Sequence, residues 1–82
     1  MARWKQETVV TYTDGTMKTY SPKIRTADRM VEMLAQVSFL KQAGEYAELT
    51  CDVDDEDYSI TAYHIFRKMK DRSVENIFTR VE

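Results

Sequence analysis

The chain lacks any run of about 18 apolar residues, so no segment is predicted to span a membrane. Cysteine is almost absent: Cys51 stands alone. A single thiol closes no internal disulfide, so the fold is expected to rest on its core in a reducing, cytoplasmic compartment. Two glycines and one proline in 82 residues are too few for a linker or a turn-rich disulfide scaffold. Neither sign of charge dominates, with 12 basic and 14 acidic side chains giving a net −2. That balance lacks the excess of bases with which a protein grips nucleic acid through phosphates. The opening Met-Ala-Arg-Trp-Lys-Gln has no apolar core behind it and does not read as a secretory signal.

The patterns that carry catalysis are missing too. There is no glycine-rich phosphate loop, Ser/His/Asp set, Cys-x-x-Cys pair or His-Glu-x-x-His motif. His64 is the sole histidine, with no partner implied by spacing. The sequence therefore predicts no enzyme, no catalytic residue, no cofactor and no metal.

What is present fits one domain over 1–82. An apolar fraction of 43% is ordinary for a globular protein, and a chain this short buries roughly 60–65% of the surface its unfolded form exposes.

Residues 8–13 and 16–20 are rich in β-branched and aromatic side chains and flank Asp14-Gly15, a dipeptide suited to a two-residue hairpin turn. That turn would set Tyr12 opposite Met17 and place Val10, Tyr12 and Met17 on a buried face. Pro22, unable to donate to a ladder, is expected to end the second strand. Thr26 reads as an N-cap, Asp28 as a first-turn anion and Gly44 as a C-terminal stop, which predicts a helix over 26–43. Met30, Met33, Leu34, Val37 and Leu40 form its core stripe at helical spacing. Val31, Ala35 and Phe39 form a second apolar line that one small sheet cannot cover, and this line is the first candidate contact surface.

Residues 46–53 alternate and predict a third strand. Over 58–70, Tyr58, Ala62, Ile65, Phe66 and Met69 recur at helical spacing, with acids before and bases after to match the macrodipole. Alternation fits the same residues nearly as well. The lack of Gly and Pro after Gly44 favours one or two C-terminal helices. The predicted fold is thus α+β: hairpin, long central helix, third strand, then helices. The alternative is ββαβββ, one helix on an antiparallel sheet.

Asp52, Asp54, Asp55, Glu56 and Asp57 put five carboxylates in six residues. As a calcium loop the run fails, with Asp57 where glycine is needed and Tyr63 where a bidentate glutamate is needed. It reads as a solvated turn, with Asp54, Asp55 and Glu56 as candidate contacts for a basic partner. Arg67, Lys68 and Lys70 are the matching basic candidates, and Lys18, Lys23, Arg25 and Arg29 form a looser group near Tyr20. Trp4 reads as a core lid or an exposed anchor.

Missing chemistry, surplus apolar helix surface and opposed charge clusters predict a small non-enzymatic protein-interaction module. Its size suits a regulator or a phage-type inhibitor that binds a partner protein of unknown identity, or a homodimer. Nucleic-acid binding through 67–72 is the second reading, disfavoured by net charge, and a metal-dependent hydrolase using the acidic run is the third.

Overall fold

The computed structural model describes residues 2–81. In chain order it contains β1 (Arg3–Tyr12), β2 (Met17–Thr26), α1 (Ala27–Gln42), β3 (Tyr46–Val53), β4 (Ile60–Lys68) and β5 (Arg72–Arg80). The strands form one sheet in the order β2-β1-β5-β4-β3, with every neighbouring pair antiparallel. This is the ββαβββ arrangement, a small α+β domain; the C-terminal helices are replaced by strands.

The correction has a local cause. Turns usually announce themselves through glycine, and these turns do without it. The β3–β4 turn places Tyr58 at φ 59°, a left-handed conformation uncommon for a side-chain-bearing residue. The β4–β5 hairpin closes with the Met69 amide donating to the Arg72 carbonyl at 2.8 Å, without any positive φ. Absence of Gly therefore said nothing about helix. Ile60–Lys68 then pairs with two neighbours, and its β-branched and aromatic content matches that position.

The first hairpin is displaced by one residue from the predicted register. Thr11 pairs with Met17, Val10 with Lys18 and Thr8 with Tyr20. The Tyr12 amide donates to the Thr16 carbonyl and the Gly15 amide to the Tyr12 carbonyl, so Thr13, Asp14 and Gly15 all lie in the loop. Gly15 takes φ 91°, and the Thr16 amide donates to an Asp14 carboxylate oxygen at 2.8 Å. A three-residue loop with a left-handed glycine replaces the two-residue turn. Because strand faces alternate, that single extra residue turns Met17 to the face opposite Val10 and leaves it exposed.

Pro22 does not end β2, which runs on to Thr26. β2 is an edge strand, where a missing donor is tolerated, and the register shifts between Gln6 and Thr8, opposite the proline.

The helix forms as expected. Thr26 caps it, its hydroxyl accepting from the Arg29 amide at 3.2 Å, and Gly44 at φ 88° leads the chain out. It joins β2 at one edge to β3 at the other, so it must cross one face of the sheet. Its Met30 and Val37 form one core cluster with Trp4, Ala47, Ile65 and Phe78 of the sheet, flanked by Met33, Leu34, Leu40 and Tyr63. Trp4 is thus a core residue, its ring tilted against Tyr63 at 5.4 Å between centroids. Phe78, on the middle strand, is wholly buried. Among the described residues no helix covers the opposite sheet face.

Candidate interaction surfaces

Five apolar residues of α1 meet the core, whereas Val31, Ala35 and Phe39 do not. Met30 and Val37 are buried, with Met33, Leu34 and Leu40 packed beside them. Val31 and Phe39 point outward, 57% and 71% exposed, and Ala35 between them is exposed as well. Spacing of four residues keeps the three in one line on the side away from the sheet. Asp28, Glu32, Ser38 and Gln42, all exposed, border this line. An exposed apolar line of this kind is informative in a way that a single exposed leucine is not.

The acidic run forms the β3–β4 turn. Asp54 accepts from the Glu56 and Asp57 amides at 2.8 and 3.2 Å, while the Asp54 amide donates to the Ser59 carbonyl. Asp57 accepts from both the amide and the hydroxyl of Ser59, and these bonds hold its carboxyl below the usual carboxylate range. Two of the five acids are thereby spent on backbone geometry, a use for Asp in turns with a known mechanism. Asp55 and Glu56 stand in solvent. Among the described residues no three His, Cys, Asp or Glu side chains are grouped to hold a metal.

Strand alternation separates the basic run. Arg67 turns to the helix side, where its Nη2 donates to both carboxylate oxygens of Glu45 at 3.1 and 3.4 Å. The pair ties β4 to the segment that follows α1. Lys68, one residue on, faces the open side of the sheet, and Lys70 lies in the β4–β5 turn. Arg72 sits 3.6 Å from Asp71. Lys68, Lys70 and Arg72 border one hollow of about 190 Å³ at the β4–β5 turn, and Arg67 alone of the four bases is turned away from it.

On the open face, His64 bridges three strands. Its Nε2 lies 3.0 Å from Asp52 on β3 and its Nδ1 lies 3.5 Å from Glu75 on β5. The hydrogen bond to Asp52 leads in raising the imidazole pKa, opposed by partial burial and assisted by Glu75. A hollow of about 260 Å³ surrounds it, lined by Glu48, Thr50, Asp52, His64, Phe66 and Glu75. Both ring nitrogens are held by carboxylates, so the ring braces the sheet. Spacing alone did not reveal this trio, because it requires β4 to be a strand that pairs with both β3 and β5.

A further polar cluster lies on the helix face beside β2. Gln6, buried in β1, donates from Nε2 to Asn76 at 3.2 Å and to Thr8 at 3.3 Å, and its Oε1 accepts from Arg25 Nε at 2.8 Å. The Thr8 hydroxyl donates to Asn76 at 2.6 Å. Cys51 shares the helix-bearing side of β3, as its alternation predicts, yet is exposed.

No protein-family model, curated protein or solved structure matches the chain. No helix among the described residues is long and apolar enough to cross a membrane.

Proposed function

We propose that this chain is a small non-enzymatic protein-interaction module, of the regulator or inhibitor kind, whose contact surface is the outer face of α1. The observation that carries the reading is the exposed line Val31, Ala35, Phe39. Burying such side chains against a partner yields about 1.5–3 kcal/mol for each large one, before the costs of association.

The line is symmetric about Ala35, with Val31 four residues before and Phe39 four after. That symmetry suits a second copy of the chain in an isologous, two-fold antiparallel pairing. Each Phe39 then meets the partner's Val31, and the two small Ala35 side chains let the helices approach at the axis. The bordering acids do not meet one another. Asp28 falls opposite the partner's Gln42, and Glu32 opposite the partner's Ser38. The two helix dipoles oppose, which is the favourable sense.

Phe39→Glu puts a carboxylate into that seam. The variant is expected to be monomeric in light scattering at concentrations where the wild type is dimeric, with an unchanged far-UV spectrum. An unaltered oligomer contradicts the reading, and a variant that unfolds would return Phe39 to the protomer's own core.

A further inference from the structure

β2 carries Lys18, Lys23 and Arg25, and no acid occurs between Met17 and Ala27. All three bases lie on the helix-bearing side of the sheet, since Lys18 pairs with Val10, Lys23 with Gln6 and Arg25 with Trp4. Between them a hollow of about 240 Å³ is lined by Gln6, Thr8, Tyr20, Ser21, Lys23 and Arg25. Among the described residues no carboxylate borders it. Glu7, the nearest acid in β1, lies on the other face and is paired with Lys5 at 3.1 Å.

From this arrangement we infer that the hollow beside β2 is a binding site for a phosphate-class oxyanion. Arg25 is the anchor, and its guanidinium is positioned rather than free: Nε donates to the buried Gln6, which Asn76 and Thr8 hold in turn. With Nε engaged, both Nη groups remain to offer a fork to two oxygens. Lys23 makes no hydrogen bond or ion pair with any other described residue, so its ammonium is available as a second cation. Ser21 and Tyr20 add two hydroxyl donors at the rim. Donors of three kinds exceed what a carboxylate's two oxygens use and suit the oxygens of a phosphate. Lys18 lies over the Tyr20 ring at 5.0 Å, adding positive potential at the mouth. Space is adequate, because 240 Å³ equals the share of about eight liquid waters. This site is on β2 and stands apart from the α1 surface.

The test is a titration of ¹⁵N-labelled protein with inorganic phosphate at constant low ionic strength, chloride serving as control. Saturable shifts are expected at the Ser21, Lys23 and Arg25 amides and the Arg25 Nε–H, with none at Lys68 and Lys70. Arg25→Lys keeps the charge and removes the fork, so affinity should fall about tenfold. Lys23→Gln, at an exposed position that cannot unsettle the fold, should weaken binding roughly two- to fivefold, the worth of one exposed charge contact. A single-stranded oligonucleotide distinguishes the sources. Displacement of phosphate at the same resonances identifies a nucleic-acid phosphate, and no displacement identifies a free phosphorylated small molecule. Linear shifts spread over all lysines, equal effects of chloride, or undiminished affinity in both variants would overturn the proposal.

Discussion

Phe78 and Phe39 are the same residue type in opposite surroundings. Phe78 is wholly buried on the middle strand, with neighbours in β1 and β4, while Phe39 is 71% exposed. At roughly 0.05–0.15 kcal/mol per residue, an 82-residue domain holds about 4–12 kcal/mol in total. Phe78→Ala removes the transfer energy of the ring and leaves a cavity, together about 3–5 kcal/mol. That consumes most of the stability at the lower bound, so Phe78→Leu, expected to cost about 1–2 kcal/mol, is the informative variant. With a urea slope of about 1 kcal/mol/M for a chain this small, its midpoint should fall by about 1–2 M at unchanged slope. Phe39→Ala, measured at concentrations where the chain is monomeric, should stay within about 0.5 kcal/mol of wild type. The reasoning fails if Phe78→Leu costs no more than Phe39→Ala.

His64 makes the sheet's stability depend on pH. Its folded pKa is raised, so the protonated brace to Asp52 and Glu75 contributes fully below the unfolded value near 6.5 and is lost as pH rises through the folded value. Asp52 is well exposed, so the effect is a few tenths to about 1 kcal/mol, reduced by salt, and should vanish in a urea midpoint-versus-pH series on His64→Gln. Gly15→Ala places a side chain at φ 91° and should destabilise by about 1 kcal/mol in thermal melts, even though a Cβ there meets nothing within 4 Å. Glu45→Gln weakens the partner of a half-buried guanidinium whose Nε is already without one, and chemical denaturation should register about 1–3 kcal/mol. Neutralising Asp55 and Glu56 should leave denaturation unchanged, whereas Asp54→Ala should lower the unfolding free energy by about 0.5–2 kcal/mol through loss of its two backbone bonds.

The helix was legible because several levels agreed: a capping threonine, a first-turn acid, an apolar stripe and a terminal glycine all fall within Thr26–Gly44. The surplus line Val31–Ala35–Phe39 was legible for the same reason, since helical spacing alone puts it off the core side. The β3 span also read directly from alternation. β4 was not legible, because Ile60–Lys68 satisfies both periods, no glycine marks its turns, and the acids before it suit a helix N-terminus as well as a turn. A tyrosine at φ 59° and a hairpin at Lys70-Asp71 do the work usually left to glycine. The one-residue slip in the first hairpin came from reading Asp14-Gly15 as a complete turn when Thr13 belongs to it. That slip hid the basic side of β2, since Lys18 and Tyr20 share a face with Val10 rather than opposing it. The helical period over 58–70 likewise hid the separation of Arg67 from Lys68, which face opposite sides of β4.

Self-association through the outer face of α1 is read by sedimentation velocity of the wild-type chain from about 5 to 500 µM. A seam of Val31, Ala35 and Phe39 from each copy is a small contact that binds weakly, so the weight-average mass should climb from that of one chain toward that of two within this range, and Phe39→Glu should abolish the climb. A wild type that stays monomeric across the whole range would contradict the assignment of α1's outer face as a self-contact surface.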